Sequence, residues 1–393
     1  MKRMLLSSFL VAGAAIGSGV LALPILAAGP GVINTLIFIT MTFIIAYWMA
    51  TMSVDIYAKY DDHNVNAATL AVDYFGKKGF IFTTLMNLFS MGALAAAYVN
   101  AGGDLLAKTV LPLIGVTIHP QLGMIIFFVV FMPAFVVGIG LISRLNSVIF
   151  TIKFLCLITA IILGVQLIKP DIFEFIPSGV KYLGAGASTM FCIWYMHCVI
   201  PLVMKINNWD VKKSRRAILI GMVMPALAYV GWMLLIFSLV SRNDFLHLET
   251  IGDVMKFALN KPGVPKSITS LVGIFASITV LTAFLSIGFS LVAFVLDAFK
   301  WEDNAKNRLF GTLISFVIPV IIALAFPKAF VVIYQQSNLF QIASAMIPVA
   351  AIYKYKKMNN LSITPSIMII IFGSLIILCQ ILDNFSIFPS FTS

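Results

Sequence analysis

What most constrains this chain is a recurrence: runs of about twenty or more nearly uncharged residues, each long enough to cross a bilayer as a helix, follow one another from residue 4 to residue 388. In hydrocarbon every backbone N–H and C=O must be satisfied within the protein, which leaves helices or a closed barrel. Runs of this length read as helices. The expectation is an all-α membrane protein with eleven transmembrane helices at about 4–28, 31–54, 80–104, 120–140, 147–168, 182–204, 217–240, 267–296, 309–326, 329–350 and 364–388. Charged residues are 10% of the 393, too few to keep such a chain in water. The net charge of +11 does not point to nucleic acid, because the basic residues sit in short clusters between apolar runs.

Those clusters set an orientation. Lys2-Arg3, Lys77-Lys78, Lys212-Lys213, Arg215-Arg216 and Lys356-Lys357 all fall on one side of the alternating spans, in a bias of roughly two to one. The expected topology has the N-terminus cytoplasmic and the C-terminus periplasmic. The basic start followed by apolar residues imitates a signal peptide, but the run is too long for one, so a retained first span is expected. Cys156, Cys192, Cys198 and Cys379 all lie within apolar runs, so no disulfide framework is expected. Among the connections, Asp55 to Gly79 reads as a short helix along the membrane face, and Ser241 to Lys266 contains a helix-like Ile251 to Leu259 that would cap an outer vestibule.

Two runs carry weak points. Ala12-Gly13-Ala14-Ala15-Ile16-Gly17-Ser18-Gly19 interrupts the first with three glycines and a serine, which disfavour helix. One reading is a broken helix lining a midplane site; the other is a flat face for helix packing at Gly13 and Gly17. The sixth run opens Gly184-Ala185-Gly186 and carries Pro201, which would free carbonyls near residue 197. Disruptions at positions one and six, each opening a group of five helices, are what a five-plus-five inverted repeat produces. That symmetry favours a transporter. The chain then reads as one membrane domain over 1–393, with helices 1–5 at about 4–168, helices 6–10 at about 182–350 and an extra helix at about 364–388.

Buried ionisable residues in spans are costly and usually functional, and only Lys153 and His197 lie well inside one. Lys153 either acts at the site or stretches its stem to the headgroups. His197 either meets a substrate or proton, or bonds a freed carbonyl. Enzyme chemistry lacks its parts: there is no intramembrane carboxylate pair, no zinc-ligand spacing, no nucleophile elbow and no P-loop. No metal or other cofactor is expected. A channel stays open as an alternative, because Gln335-Gln336-Ser337-Asn338 and Gln341 could line a pore.

Val11 to Pro24, with Ala14, Ile16, Gly17, Ser18 and Gly19 at its centre, resembles the first-helix signature of the bacterial hydroxy and aromatic amino acid permeases. The resemblance recurs at Ala93 to Tyr98, at Lys153, at His197-x-x-x-Pro201, at Thr282-x-Phe284-Leu285 and at Phe326-Pro327-Lys328-x-Phe330. It implies a leucine-transporter-like fold in a bacterial inner membrane, with proton-driven uptake of tyrosine, tryptophan or phenylalanine. The implied partners are an amino acid, protons and the lipid bilayer, with the oligomeric state open. Gly17, Ser18 and Gly19 would take the α-carboxylate, and carbonyls near Trp194, Met196 and His197 the α-ammonium. Tyr98, Trp194 and Phe284 would pack on the side chain. Lys153, with Thr282, would stand in for a coupling cation. The residues around His197 depart from the family's glycine-flanked pattern, so a sodium-coupled or exchange carrier of another neutral amino acid is the second reading.

Overall fold

The computed structural model describes residues 2–17, 19–60, 65, 67–137, 139–248, 250–299, 301–389 and 391, and all regular structure among them is helical. In chain order the helices are α1 (Lys2–Ala15), α2 (Gly19–Ala28), α3 (Val32–Tyr57), α4 (Ala67–Leu105), α5 (Pro120–Val137), α6 (Ile139–Gly164) and α7 (Leu183–Cys192). There follow α8 (Ile200–Ile206), α9 (Val211–Leu239), α10 (Ile251–Leu259), α11 (Lys266–Ala298), α12 (Ala305–Ala325), α13 (Phe330–Met358) and α14 (Thr364–Asn384). Eight helical stretches among the described residues are long and apolar enough to cross a membrane, and the pair α1–α2, bent by 53°, makes a ninth. Eleven crossings would need α6 and α13 as well. α13 is less apolar than those eight because Gln335, Gln336, Asn338 and Gln341 occupy its first half.

The expected boundaries shift in informative ways. α6 begins at Ile139, eight residues before the hydropathy onset, because Ser143, Arg144 and Asn146 mask a helix that continues through them. Lys153 therefore lies near the middle of α6 and not close to its end. The short helix expected before the third span is the start of α4, which turns at Gly76 with φ 64°, a conformation only glycine adopts without strain. The helix expected between 251 and 259 is α10, started by the Thr250 side chain accepting from the Asp253 amide at 3.1 Å.

α10 is pinned to the end of α4. The Gly252 amide donates to the Asp104 carboxylate at 2.8 Å, and Lys108 pairs with Asp104 at 2.9 Å and with Asp253 at 2.8 Å. A Cβ at Gly252 would run into that carboxylate, so glycine is required for the approach. α4 and α5 meet just as closely, with Gly103 against the Met124 backbone and Gly102 against the Phe127 ring. Beside them Phe127, Phe135, Phe284 and Phe316 form an aromatic core joining α5, α11 and α12, with ring centroids 5.0–5.5 Å apart.

At the end of the bundle that carries the chain's N-terminus, Arg3 donates to Asn208 at 2.8 Å and Asn207 donates to Ser7 at 2.8 Å, tying α1 to the α8–α9 turn. At the opposite end, Arg242 donates to the carbonyls of Ala28 and Gly29, both at 2.8 Å. The two ends of the first interrupted helix are thus held to the two ends of α9.

Candidate functional site

Helical geometry persists through Gly13 and Ala14 and fails only after Ala15. Gly13 therefore belongs to regular helix, and the interruption is confined to residues 16–18; of these, Ser18 lies outside the described residues. The Gly17 amide bonds back to the Ala15 carbonyl at 2.7 Å, a tight turn that ends α1, and α2 starts at Gly19. The first-turn amides of α2 have no partner inside the helix and sit at its positive end.

The second interruption follows the same logic. α7 ends at Cys192, Ile193 and Trp194 form a turn, Tyr195 and Met196 are irregular, and a 3₁₀ turn at His197–Val199 leads into α8. The glycines at 184 and 186 lie in regular helix and are not part of the break. Pro201 has a different part from the one expected: it occupies the first turn of α8, where its missing N–H costs nothing and its fixed φ favours the start.

Lys153 reaches from α6 into the first break. Its residue is 2% exposed, and Nζ donates to the Ile16 carbonyl at 3.1 Å and approaches the Thr282 hydroxyl at 3.5 Å. The Thr282 hydroxyl in turn donates to the Thr279 carbonyl at 3.1 Å, leaving its lone pairs toward the ammonium. A lysine stretched to the headgroups is excluded by this burial. The ammonium lies where the broken first helix and α11 both offer oxygens.

Tyr229 on α9 joins the two breaks and was not anticipated. Its hydroxyl donates to the Ala15 carbonyl at the end of α1 and to the Ile193 carbonyl, at 2.9 Å, just past the end of α7. A phenol has one proton, so the two carbonyls share it. The signal was available: Tyr229 is fully buried among apolar neighbours, and a buried tyrosine hydroxyl needs a partner. Tyr334 on α13 is the second addition. A Cβ at Gly19 would come within 2.7 Å of its hydroxyl, so α2 and α13 touch where only glycine fits. Tyr98 on α4 is buried.

Of the other expected residues, Trp194 lies in the second break with its ring edge-on to Tyr229 at 5.4 Å and its indole N–H donating to Thr42 at 3.0 Å. Met196 is fully buried beside it. His197 borders a cavity of about 10 Å³, the size of one water, together with Trp194 and Tyr195. Its Nδ1 has no hydrogen-bond partner among the described residues. Ala14 is the half-buried residue before the last of α1. Phe284 is not brought to the breaks by its ring contacts, which are with Phe127, Phe135 and Phe316. The polar residues of α13 do not line a pore: Gln335 donates to the Ala185 carbonyl, Asn338 to Thr189 at 2.8 Å, Gln341 to Ser337 at 3.1 Å and Gln336 to Asn384 at 2.6 Å. Gln335 and Asn338 fasten α13 to α7, Gln336 fastens it to α14, and the Gln341 bond stays within α13. Among the described residues no three His, Cys, Asp or Glu side chains cluster as metal ligands do.

Residues 1–383 match the profile of the tryptophan/tyrosine permease family. Tyrosine-specific transport system 1 of Haemophilus influenzae is 28% identical over 91% of this chain and 89% of its own length. The tryptophan-specific transport protein of the same organism is 25% identical, covering 98% of this chain and 97% of its own length. The crystal structure of MhsT in complex with L-phenylalanine superposes with a TM-score of 0.64 at 14% identity, covering 98% of each chain. At that identity the likeness is one of fold, and it is the leucine-transporter-like fold that the family resemblance implies.

Proposed function

This chain belongs to the tryptophan/tyrosine permease family, a family of membrane transporters and not of enzymes, and from that premise we propose that it imports an aromatic amino acid by proton symport. The proposed setting is a bacterial inner membrane, with the α1 end of the bundle cytoplasmic and the α10 end periplasmic, following the distribution of basic residues. The observation that supports proton coupling most directly is the Lys153 ammonium on the Ile16 carbonyl, within reach of Thr282. An ionisable group there supplies a cation that comes and goes as a proton. Gained from the outside and released inward, that proton alters the hold on the first break and links its geometry to the gradient.

The substrate is assigned to the space between the two breaks. Amides of Gly17, Ser18 and Gly19 at the positive end of α2 suit an α-carboxylate, and carbonyls from Ile193 to His197 suit an α-ammonium. Trp194, Tyr98 and Met196 supply apolar and aromatic surface for the side chain, with Tyr229 and Tyr334 added by the structure. The decisive experiment is uptake into proteoliposomes of the purified protein, with labelled tyrosine, tryptophan, phenylalanine, glutamine and serine, under an inward proton gradient or an inward sodium gradient. Accumulation of the aromatic three under the proton gradient alone is the expected result. Sodium-driven accumulation would replace this reading with a sodium symporter, and exchange without net accumulation would replace it with an exchange carrier.

Tyr229→Phe gives an independent check on the site's location. Loss of the shared hydroxyl leaves a buried carbonyl unsatisfied, a cost of about 1–3 kcal/mol. A perturbation of that size at the junction of both breaks is expected to weaken substrate binding by about tenfold. Equilibrium binding of labelled tyrosine and tryptophan to the variant measures it. Unchanged affinity would remove the junction from the site.

A further inference from the structure

One face of α13 runs past both breaks. Tyr334, Asn338, Ile342 and Ala345 follow one another at helical spacing, so they form a single stripe, and all four are buried. The stripe meets the breaks level by level. A Cβ at Gly19, the first residue of α2, would lie 2.7 Å from the Tyr334 hydroxyl and 3.3 Å from the Ile193 side chain, so the two breaks and α13 converge there. One turn further along, Asn338 lies against the last turn of α7. Its side-chain amide donates to the Thr189 hydroxyl at 2.8 Å, and its main-chain carbonyl accepts from the Cys192 thiol at 3.7 Å. Ile342 and Ala345 then wall the water-sized cavity shared with Trp194, Tyr195 and His197. The stripe thus follows the second break from the end of α7 to its 3₁₀ turn.

Asn338 is only half satisfied. The residue is fully buried, its N–H side is spent on Thr189, and its Oδ1 has no hydrogen-bond partner among the described residues. The polar residues around it on α13 are engaged: Ser337 donates to the Tyr334 carbonyl at 2.6 Å, Gln341 to Ser337 at 3.1 Å, and Gln335 to the Ala185 carbonyl. A buried carbonyl left unpaired is costly, and such an atom in a native protein calls for a specific partner. An amide oxygen can only accept, so that partner must be a donor.

Tyrosine and tryptophan carry one donor each on the ring, the phenol O–H and the indole N–H; the phenylalanine ring carries none. We propose that Asn338 is a specificity-determining residue of the site: its Oδ1 accepts the ring O–H of tyrosine or the ring N–H of tryptophan and so selects both over phenylalanine. The assignment rests on the reading above that an aromatic amino acid is held between the breaks. With its carboxylate on the amides at the start of α2 and its ammonium on the carbonyls after α7, the substrate turns its ring toward the surrounding walls, of which the α13 stripe is one. A bound phenylalanine covers Oδ1 with C–H and leaves it unpaired. A site built to receive a donor rejects a ligand lacking it more strongly than an apolar pocket rejects one by size.

The test is equilibrium binding of labelled tyrosine, tryptophan, phenylalanine, O-methyltyrosine and 1-methyltryptophan to the purified wild type and to Asn338→Leu. The two methylated ligands keep the rings and replace the donated hydrogen. In the wild type, tyrosine and tryptophan are expected to bind at least tenfold tighter than phenylalanine and than their methylated forms. In Asn338→Leu, which keeps the length and branching of the side chain without the acceptor, those preferences are expected to disappear while phenylalanine binds as it does to the wild type. The wild-type series stands by itself if the variant does not fold. Equal wild-type binding of phenylalanine, tyrosine and the methylated ligands would overturn the assignment and leave the proposed function intact. So would an Asn338→Leu protein that keeps the wild-type preferences, or one that weakens all five ligands by the same factor, as loss of a brace between α13 and α7 would. No binding of any aromatic amino acid to the wild type would overturn both readings.

Discussion

Lys153→Ala is expected to abolish accumulation: in proteoliposomes with a pH gradient of one unit, the wild type should concentrate its substrate about tenfold for one proton per cycle, and the variant should stop at a ratio of one. The reason is positional. Lys153 is buried mid-helix with its ammonium on the Ile16 carbonyl, and an alanine leaves that carbonyl without the donor and the site without its titrating charge. Exchange of labelled for unlabelled substrate should survive, because the amides of α2 and the carbonyls after α7 remain. Lys153→Arg separates two explanations. A guanidinium keeps a positive charge but does not give up its proton, so it rescues a purely structural cation and fails to rescue a coupling one. Normal gradient-driven accumulation in Lys153→Ala, or full rescue by arginine, would move the coupling elsewhere, with His197 the next group to test.

Gly17→Val is expected to lower substrate affinity at least a hundredfold without unfolding the protein. The nearest atom among the described residues to a Cβ built at Gly17 is the Ala15 carbonyl oxygen at 4.0 Å, so the first atom of the added side chain finds room beside the break. It occupies the volume assigned to the substrate carboxylate instead. Gly103→Val is the contrasting control, because a Cβ there meets the Met124 backbone and must force α4 and α5 apart. The first variant should insert and melt like the wild type while failing to bind; the second should be destabilised. Wild-type affinity in Gly17→Val, measured by the same equilibrium binding, would remove the first break from the site.

The legible parts of this molecule were those written in local composition. Hydropathy located eight apolar helices and the bent first pair, and glycines marked the first break, because an uncovered backbone has a compositional cause at the same place. Lys153 stood out because a charge in an apolar run has few harmless explanations. What could not be read was rotation about each helix axis. The spans are apolar on every side, so no stripe tells which face looks inward, and nothing in the sequence signals that the Phe284 ring packs against Phe127 and Phe316. Tyr229 escaped for a related reason: its two carbonyl partners lie 214 and 36 residues away, and nothing beside it in the chain signals either. Pro201 shows the limit of a residue-level rule. The same ring that breaks a helix interior starts a helix when it falls in the first turn, and only the backbone says which.

The two interruptions also bear on how such a protein can evolve. The hydrogen-bonding groups they expose are main-chain N–H and C=O, and these are identical whatever residue occupies the position, except that proline lacks the N–H. A point mutation can add bulk there or replace a ring on the surrounding walls, yet it cannot delete a carbonyl. Descendants are thus free to exchange the side chains of Trp194, Met196 and their neighbours under selection for new nutrients, while inheriting unchanged the backbone atoms that any amino acid presents itself to. Under the proposed assignment, a grip made of backbone would survive divergence to the 28% identity that separates this chain from a tyrosine-specific relative, in a way that a grip made of side chains would not.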